Sequence, residues 1–329
     1  MQLGNFKRTL VWGIPIFLLF AVLPMGIESF YTYLLTTAGI YTICILGVNI
    51  LSGNTGLVTV GHAGFFAIGA YTTALLETHF STTLLTGVII GALVAALVGF
   101  LLGILTLRIS GAFLAISTLG FGFAVSSVIT NAGIFQGRTG LTLIKPVFLG
   151  IKLSDNGYYY LILGFTILFI LLTISILRSG VGRAFKAMKN SETAAQAMGV
   201  NLTFYKTLAF TISAFYAGAA GALYAHQTQY LSAGTFDFWM STFFLLAVVI
   251  GGLGSILGSV IGAFYIIFIP FLLKDYQDFS TIFMGIVLIL VVVFAPEGIA
   301  GLLHNITNYI LMKKKMYFLK KSTRSVFDE

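Results

Sequence analysis

The chain has 329 residues, of which 58% are hydrophobic and only 9% charged, against about 25% charged in an average soluble protein. With a mean hydropathy of +1.01 it holds apolar sequence for many bilayer-spanning segments of ~20 residues each, so a soluble fold is excluded. The net charge of +8 would suggest nucleic acid in a soluble protein, but here the basic residues stand between apolar runs and after the last one. That is the pattern of membrane orientation.

In chain order, uninterrupted apolar stretches cover 10–26, 30–51, 56–76, 84–107, 111–131, 157–177, 207–225, 238–273 and 281–296, and none contains Asp, Glu, Lys or Arg. The first follows Lys7 and Arg8 as in a signal peptide, yet no small-x-small cleavage site comes after it, so it is read as a retained helix. The single cysteine, Cys44, lies in the second run and is expected to be a small buried hydrophobe. At ~1.5 Å per residue the stretch 238–273 would be about 54 Å of helix, nearly twice a ~30 Å hydrocarbon core. Gly251, Gly252 and Gly254 fall in its middle and allow the backbone to turn, which divides it into 238–254 and 255–273. Ten spans result. Strict alternation from an inside N-terminus puts 14 of the 18 Lys and Arg residues on the inside, leaving Arg138, Lys145, Lys152 and Lys274 outside. The expected fold is therefore an all-α polytopic membrane protein of about ten transmembrane helices with both termini cytoplasmic. A single membrane domain covers 1–312, and the basic tail 313–329 is expected to anchor at the membrane surface.

The chain has 37 glycines where average usage near 7% would give about 23. Gly87/Gly91, Gly99/Gly103 and Gly254/Gly258/Gly262 have small-xxx-small spacing, which lets neighbouring helix backbones approach closely in lipid. Charges inside the spans, which ion-coupled carriers usually keep, are missing from these runs. No lysine follows a glycine, so the phosphate-cradling loop of an ATPase is absent. No span holds paired carboxylates or a nucleophile–base pair, which disfavours an enzyme. The polar stretch 132–156, with Arg138, Lys145 and Lys152, is expected to form an outer loop where a partner docks or which simply connects.

The segment 178–206 is the longest inner loop. Ser191 can cap a helix that starts at Glu192, an acid suited to the positive end of the helix dipole, and Gly199 is a natural stop. Ala194, Ala195, Ala197 and Met198 give that short helix a small, mostly apolar surface suited to a partner's groove. Gly182-Arg183-Ala184, followed by Glu192-x-Ala194-Ala195 and Gly199, resembles the cytoplasmic coupling segment of ABC importer permeases, in the version of the LivH/LivM branched-chain amino acid permease family. The run from Leu51-Ser52-Gly53-Asn54-Thr55-Gly56 to Gly61-His62-Ala63-Gly64 is similar to that family's signature. So are Leu107-Arg108-Ile109-Ser110-Gly111, Gly251-Gly252-Leu253-Gly254-Ser255 and the ending Pro296-Glu297-Gly298-Ile299. The likeness covers about 30–302 and is nearer the LivM-type subunit. Glu297 and the tail depart from the family pattern.

The resemblance implies the membrane subunit of an importer of branched-chain amino acids in a bacterial inner or plasma membrane, not itself an enzyme. It implies four kinds of neighbour: a LivH-type permease or a second copy of this chain, two cytoplasmic ATPase subunits, an extracytoplasmic substrate-binding protein, and membrane lipid. No cofactor is expected in this chain, ATP and Mg being held by the ATPases. Gly182, Arg183, Glu192, Ala194, Ala195 and Gly199 are then the residues expected to couple it to the ATPase. Polar breaks at membrane depth are tolerated only where buried or facing water, so Ser52, Asn54, Thr55 and His62 are candidates for the route, with Asn49, Ser117 and Thr118 beside them. A permease for urea or short amides, and an ATP-independent carrier or channel, are the competing readings. A carrier would have no need of the helix at 191–199.

Overall fold

The computed structural model describes Pro24, Gly26 and residues 28–80, 82–106, 109, 111–136, 139–143, 147–148, 151–295 and 297–303. The body of the run 10–26, Arg108, Arg138, Lys145 and the tail 313–329 lie outside the described residues. Among the described residues, each of the nine expected spans from 30–51 onward, with 238–273 counted as two, holds one helix. Helix α1 is Ser29–Val48 and passes into a π-helical turn at Asn49–Asn54. It is followed by α2 (His62–Phe80), α3 (Leu84–Leu105), α4 (Ala112–Asn131) and α5 (Asp155–Arg178). Two amphipathic pieces come next, α6 (Gly180–Asn190) and α7 (Glu192–Ala197). The chain then forms α8 (Leu202–Thr228), α9 (Phe238–Gly251), α10 (Ile256–Leu272) and α11 (Gln277–Phe294). Among the described residues, six helical stretches are long and apolar enough to cross a bilayer unaided. The protein is a mostly helical, polytopic membrane protein.

The expected turn between 254 and 255 is present. Gly252 and Gly254 take φ of +125° and +85°, a region open to glycine but strained for other residues. Two boundaries differ from expectation. The run 56–76 is helical only from His62, and α2 then continues to Phe80, so Glu77 lies within a helix. Likewise α8 begins at Leu202 and carries a buried Lys206 in its second turn. The apolar runs are free of charge, but the helices that contain them are not.

Helices α2, α3 and α8 form the densest part of the molecule, and glycine is the reason. A Cβ at Gly69 would strike the carbonyl of Gly218, one at Gly221 the carbonyl of Phe66, and one at Gly218 the Cβ of Ala95. On α3, Gly87 sits on Thr73 of α2, while Gly99 and Gly103 sit on Ala214 and Thr207 of α8. The small-xxx-small spacings therefore mark helix contacts. Without a hydrophobic drive between helices in lipid, such close approach is how dispersion holds them together. The glycines of α10 do the same against α9, Gly262 lying on the Ala247 carbonyl.

The ends of the helices segregate. At one end Gly53, Lys189, Lys206 and Gly254 gather, and at the other Glu77, Leu141, His226 and Tyr230. The polar loop after α4 is not all irregular: Leu141–Thr142 (β1) pairs antiparallel with Tyr230–Leu231 (β4), and Val147–Phe148 (β2) pairs with Ile151–Lys152 (β3). Gly140, at φ +80°, packs on the Tyr230 ring. That loop is thus fastened to the far end of α8.

Candidate functional site

The signature residues after α1 meet the glycine turn between α9 and α10, some 200 positions away in sequence. Asn49 is the link. Its Oδ1 accepts from the Gly254 amide at 2.7 Å, and its Nδ2 donates to the Ser255 carbonyl at 2.7 Å and to Ser259 Oγ at 2.8 Å. Gly53 has no room for a side chain, because a Cβ would overlap Asn49 Oδ1 and the Gly254 amide. Asn54 Nδ2 donates to the Asn49 carbonyl at 3.1 Å, Ser52 Oγ to the Leu57 carbonyl at 3.1 Å, and Thr55 Oγ1 to the Leu51 carbonyl. The candidates Asn49, Ser52, Asn54 and Thr55 are all buried and each is bonded within the protein. Where the α-helical ladder fails, these side chains replace it, as burial in an apolar medium requires.

Residues 56–61 then run without helix, and α2 opens at His62. His62 Nε2 lies 2.6 Å from Ser213 Oγ, which donates to the Gly47 carbonyl at 2.7 Å. With the serine proton so directed, the imidazole is the donor at Nε2. Its Nδ1 is buried with no hydrogen-bond partner. Ser213 is about 17 Å along α8 at ~1.5 Å per residue, near the middle of that 27-residue helix. Helix α2 therefore begins level with the middle of α8. Of the amides at its start, Ala63 N donates to Ser241 Oγ of α9 at 3.0 Å, and Val60 N, just ahead of the helix, donates to Thr118 Oγ1 of α4 at 3.1 Å. Gly61 packs directly on the Thr118 carbonyl. A shallow crevice at this point is lined by Ala63, Gly122, Ser126, Asp237 and Ser241.

Ser117 and Thr118 are thereby separated. Thr118 is buried against 60–61, whereas Ser117 faces outward and bonds back to the Phe113 carbonyl. Sequence reasoning placed His62 and Thr118 among the candidates but missed Ser213, Ser241 and Ser259. A serine in an apolar helix carries no local mark of what it faces.

The segment after α5 folds as its caps direct. Ser179 and Ser191 accept from the amides of Val181 and Ala194, each at 3.2 Å, opening α6 and α7. Gly199, at φ +85°, ends the second. Phe185 and Met188 bury one face of α6, and Gly182 lies on the Leu177 carbonyl; Arg183 is exposed. Glu192 pairs with Lys206 at 2.7 Å, so the first turn of α7 is tied to α8. The apolar surface expected of α7 is revised. Ala195 is buried against the body, while Ala194, Ala197 and Met198 face outward, Met198 with 86% of its surface exposed.

At the opposite end, Glu77 and His226 approach to 3.6 Å, too far for a good hydrogen bond. Beside His226 a cavity of about 140 Å³ is lined by Thr32, Asp155, Tyr158 and Gln227, among others.

A many-span helical body broken by buried polar segments, with a capped amphipathic piece across one end, is the architecture of a polytopic helical membrane protein. The chain belongs to the family described as "Branched-chain amino acid transport system / permease component", whose model matches residues 30–292. It is 34% identical to the high-affinity branched-chain amino acid transport permease protein LivM of Salmonella typhimurium over 80% of this chain and 68% of that one. To LivM of Escherichia coli it is 32% identical over 90% of this chain and 76% of the other. To BraD of Pseudomonas aeruginosa, a permease named for the same transport, it is 25% identical over 81% and 93%. No solved structure matches it significantly.

Replacing Asn49 by Leu would strand the part-buried Gly254 amide and leave Ser259 Oγ only its bond to the Ser255 carbonyl, at about 1–3 kcal/mol for a group left without a partner. Asn49→Leu should melt well below the unsubstituted protein in detergent, whereas Ser117→Ala should not. Tryptophan fluorescence during heating reads this out, and equal melting of all three would remove the clamp from the account of stability.

Proposed function

We propose that this chain is the LivM-type permease subunit of an ABC importer that moves branched-chain amino acids inward across a bacterial inner membrane. The likeness to two LivM proteins over most of the chain carries that reading. It favours amino acids over urea or short amides, and an ATP-driven permease over a self-sufficient carrier. In this reading a LivH-type permease or a second copy completes the membrane part. Two cytoplasmic ATPases supply hydrolysis with ATP and Mg on their own residues, and an extracytoplasmic protein delivers substrate. The surface formed by Arg183, Ala194, Ala197 and Met198 meets the ATPase, Glu192 and Ala195 hold that surface in place, and Gly182 and Gly199 set its turns. His62 and Thr118, beside the crevice, flank the route, and Ser117 faces the second permease.

Ten spans with both termini cytoplasmic complete the proposal. It is supported by the charge asymmetry of the loops and by the gathering of Lys189 and Lys206 at one end, Glu77 and His226 at the other. With Cys44 replaced by Ala, a cysteine at Thr139 should react with an impermeant thiol reagent on intact cells. A cysteine at Lys186 should react only after the membrane is opened, and labelling of both from one side would refute the topology.

The energetics give a second test. Leucine, isoleucine and valine uptake should need ATP and the binding protein and should persist when the proton gradient is collapsed with ATP held constant. Uptake by the purified chain alone, driven by a proton or sodium gradient, would replace the ABC reading with a carrier. Stimulation by urea but not leucine would keep the mechanism and change the cargo.

A further inference from the structure

Lys189 joins the cytoplasmic segment to the interrupted end of α1. It stands in the last turn of α6, and its Nζ donates to the Gly53 carbonyl at 2.7 Å, across 136 positions of sequence. Two features make that carbonyl a receptive partner. It lies where the helical ladder from α1 ends, so it is one of the terminal acceptors that a helix cannot satisfy internally, and it is at the negative end of the helix dipole. The lysine stem lies beside Gly56, which takes φ +79° and where a Cβ would stand 3.6 Å from Lys189 Cα and Cγ, an ordinary contact.

What Lys189 touches is in turn fixed to other elements. Gly53 is wedged between the Asn49 side chain and Gly254, and Asn49 holds Gly254, Ser255 and Ser259 at the start of α10. On its other side α6 continues directly through Ser191 into α7, which Glu192 and Lys206 tie to α8. Displacement of α6–α7 can thus pass into the membrane part by polar links at two places among the described residues. One runs to α8 through an ion pair. The other runs through a single lysine to the inner end of α1 and the α9–α10 turn.

We propose that Lys189 is a positioning residue that transmits movement of the ATPase-contacting segment to the interrupted helix end at 49–56 and to the 251–259 turn. This rests on the reading of α6–α7 as the ATPase contact. A positive donor is required for the task, not merely a side chain that fills space. Lys189→Met keeps the stem beside Gly56 and removes the link, whereas Lys189→Arg keeps charge and donors.

The test uses the assembled importer, purified with its ATPases and reconstituted with binding protein and leucine, and measures leucine moved per ATP hydrolysed. Lys189→Met should lower that ratio about tenfold, within the usual range of coupling between sites. Lys189→Arg should restore most of it, and the ATPase subunits should co-purify with both variants as with the unsubstituted chain. An unchanged ratio in Lys189→Met, or failure of Lys189→Arg to improve on it, overturns the proposal. So does loss of the ATPases from Lys189→Met, which would make Lys189 a docking residue. If the Lys189→Met chain itself does not insert and fold, Lys189→Gln, a neutral side chain that can still donate to Gly53, is measured in its place. A normal ratio in that variant rejects the need for charge. Failure of ATPases to co-purify with the unsubstituted chain would refute the underlying reading instead, independently of Lys189.

Discussion

Inside a bilayer every backbone amide and carbonyl must find its partner within the protein, because lipid offers none. This chain obeys that constraint with continuous helices in α3, α4, α5 and α8, and breaks them where signature segments lie. At 49–61 the ladder widens to a π turn and then stops; Ser52, Asn54, Thr55 and Thr118 bond backbone groups of this stretch, Ser241 takes the Ala63 amide, and Asn49 takes the Gly254 amide. The breaks are stable because they are buried against three other helices that bring side chains of the right length.

Such burial demands close approach. Glycines at 61, 69, 218 and 221 let α2 lie against α4 and α8 at backbone distance, which is what carries His62 into reach of Ser213. Glycine packing and polar satisfaction are thus two sides of one arrangement. A larger residue at Gly61 would push the 60–63 amides away from their acceptors. The same dependence explains why the 251–254 turn is rich in glycine: Gly252 and Gly254 supply backbone angles, while Gly251 and Gly258 allow the α9–α10 hairpin to close.

Much of the fold was legible in the apolar runs, since length and lack of charge are enough to mark a span. The start of α2 was not. Leu57, Val58 and Val60 look alike to hydropathy whether helical or extended, and only the contacts of Val60 N and Ala63 N decide between them. Lys189 and Lys206 were legible as orientation charges but not as partners of Gly53 and Glu192. The two-turn helix α7 is too short for periodicity to say that Ala195 points inward. Caps were readable throughout this region, because Ser179, Ser191 and Gly199 act locally and need no tertiary partner.

The central claim is that the non-helical stretch before α2 is held by hydrogen bonds from Val60 N to Thr118 and from Ala63 N to Ser241. Amide hydrogen exchange in lipid nanodiscs tests it most directly. Val60 and Ala63 should exchange as slowly as the middle of α8, and Thr118→Val and Ser241→Ala should each speed exchange at the amide they serve. Fast exchange at Val60 and Ala63 in the unsubstituted protein, or no change in either variant, would contradict the account.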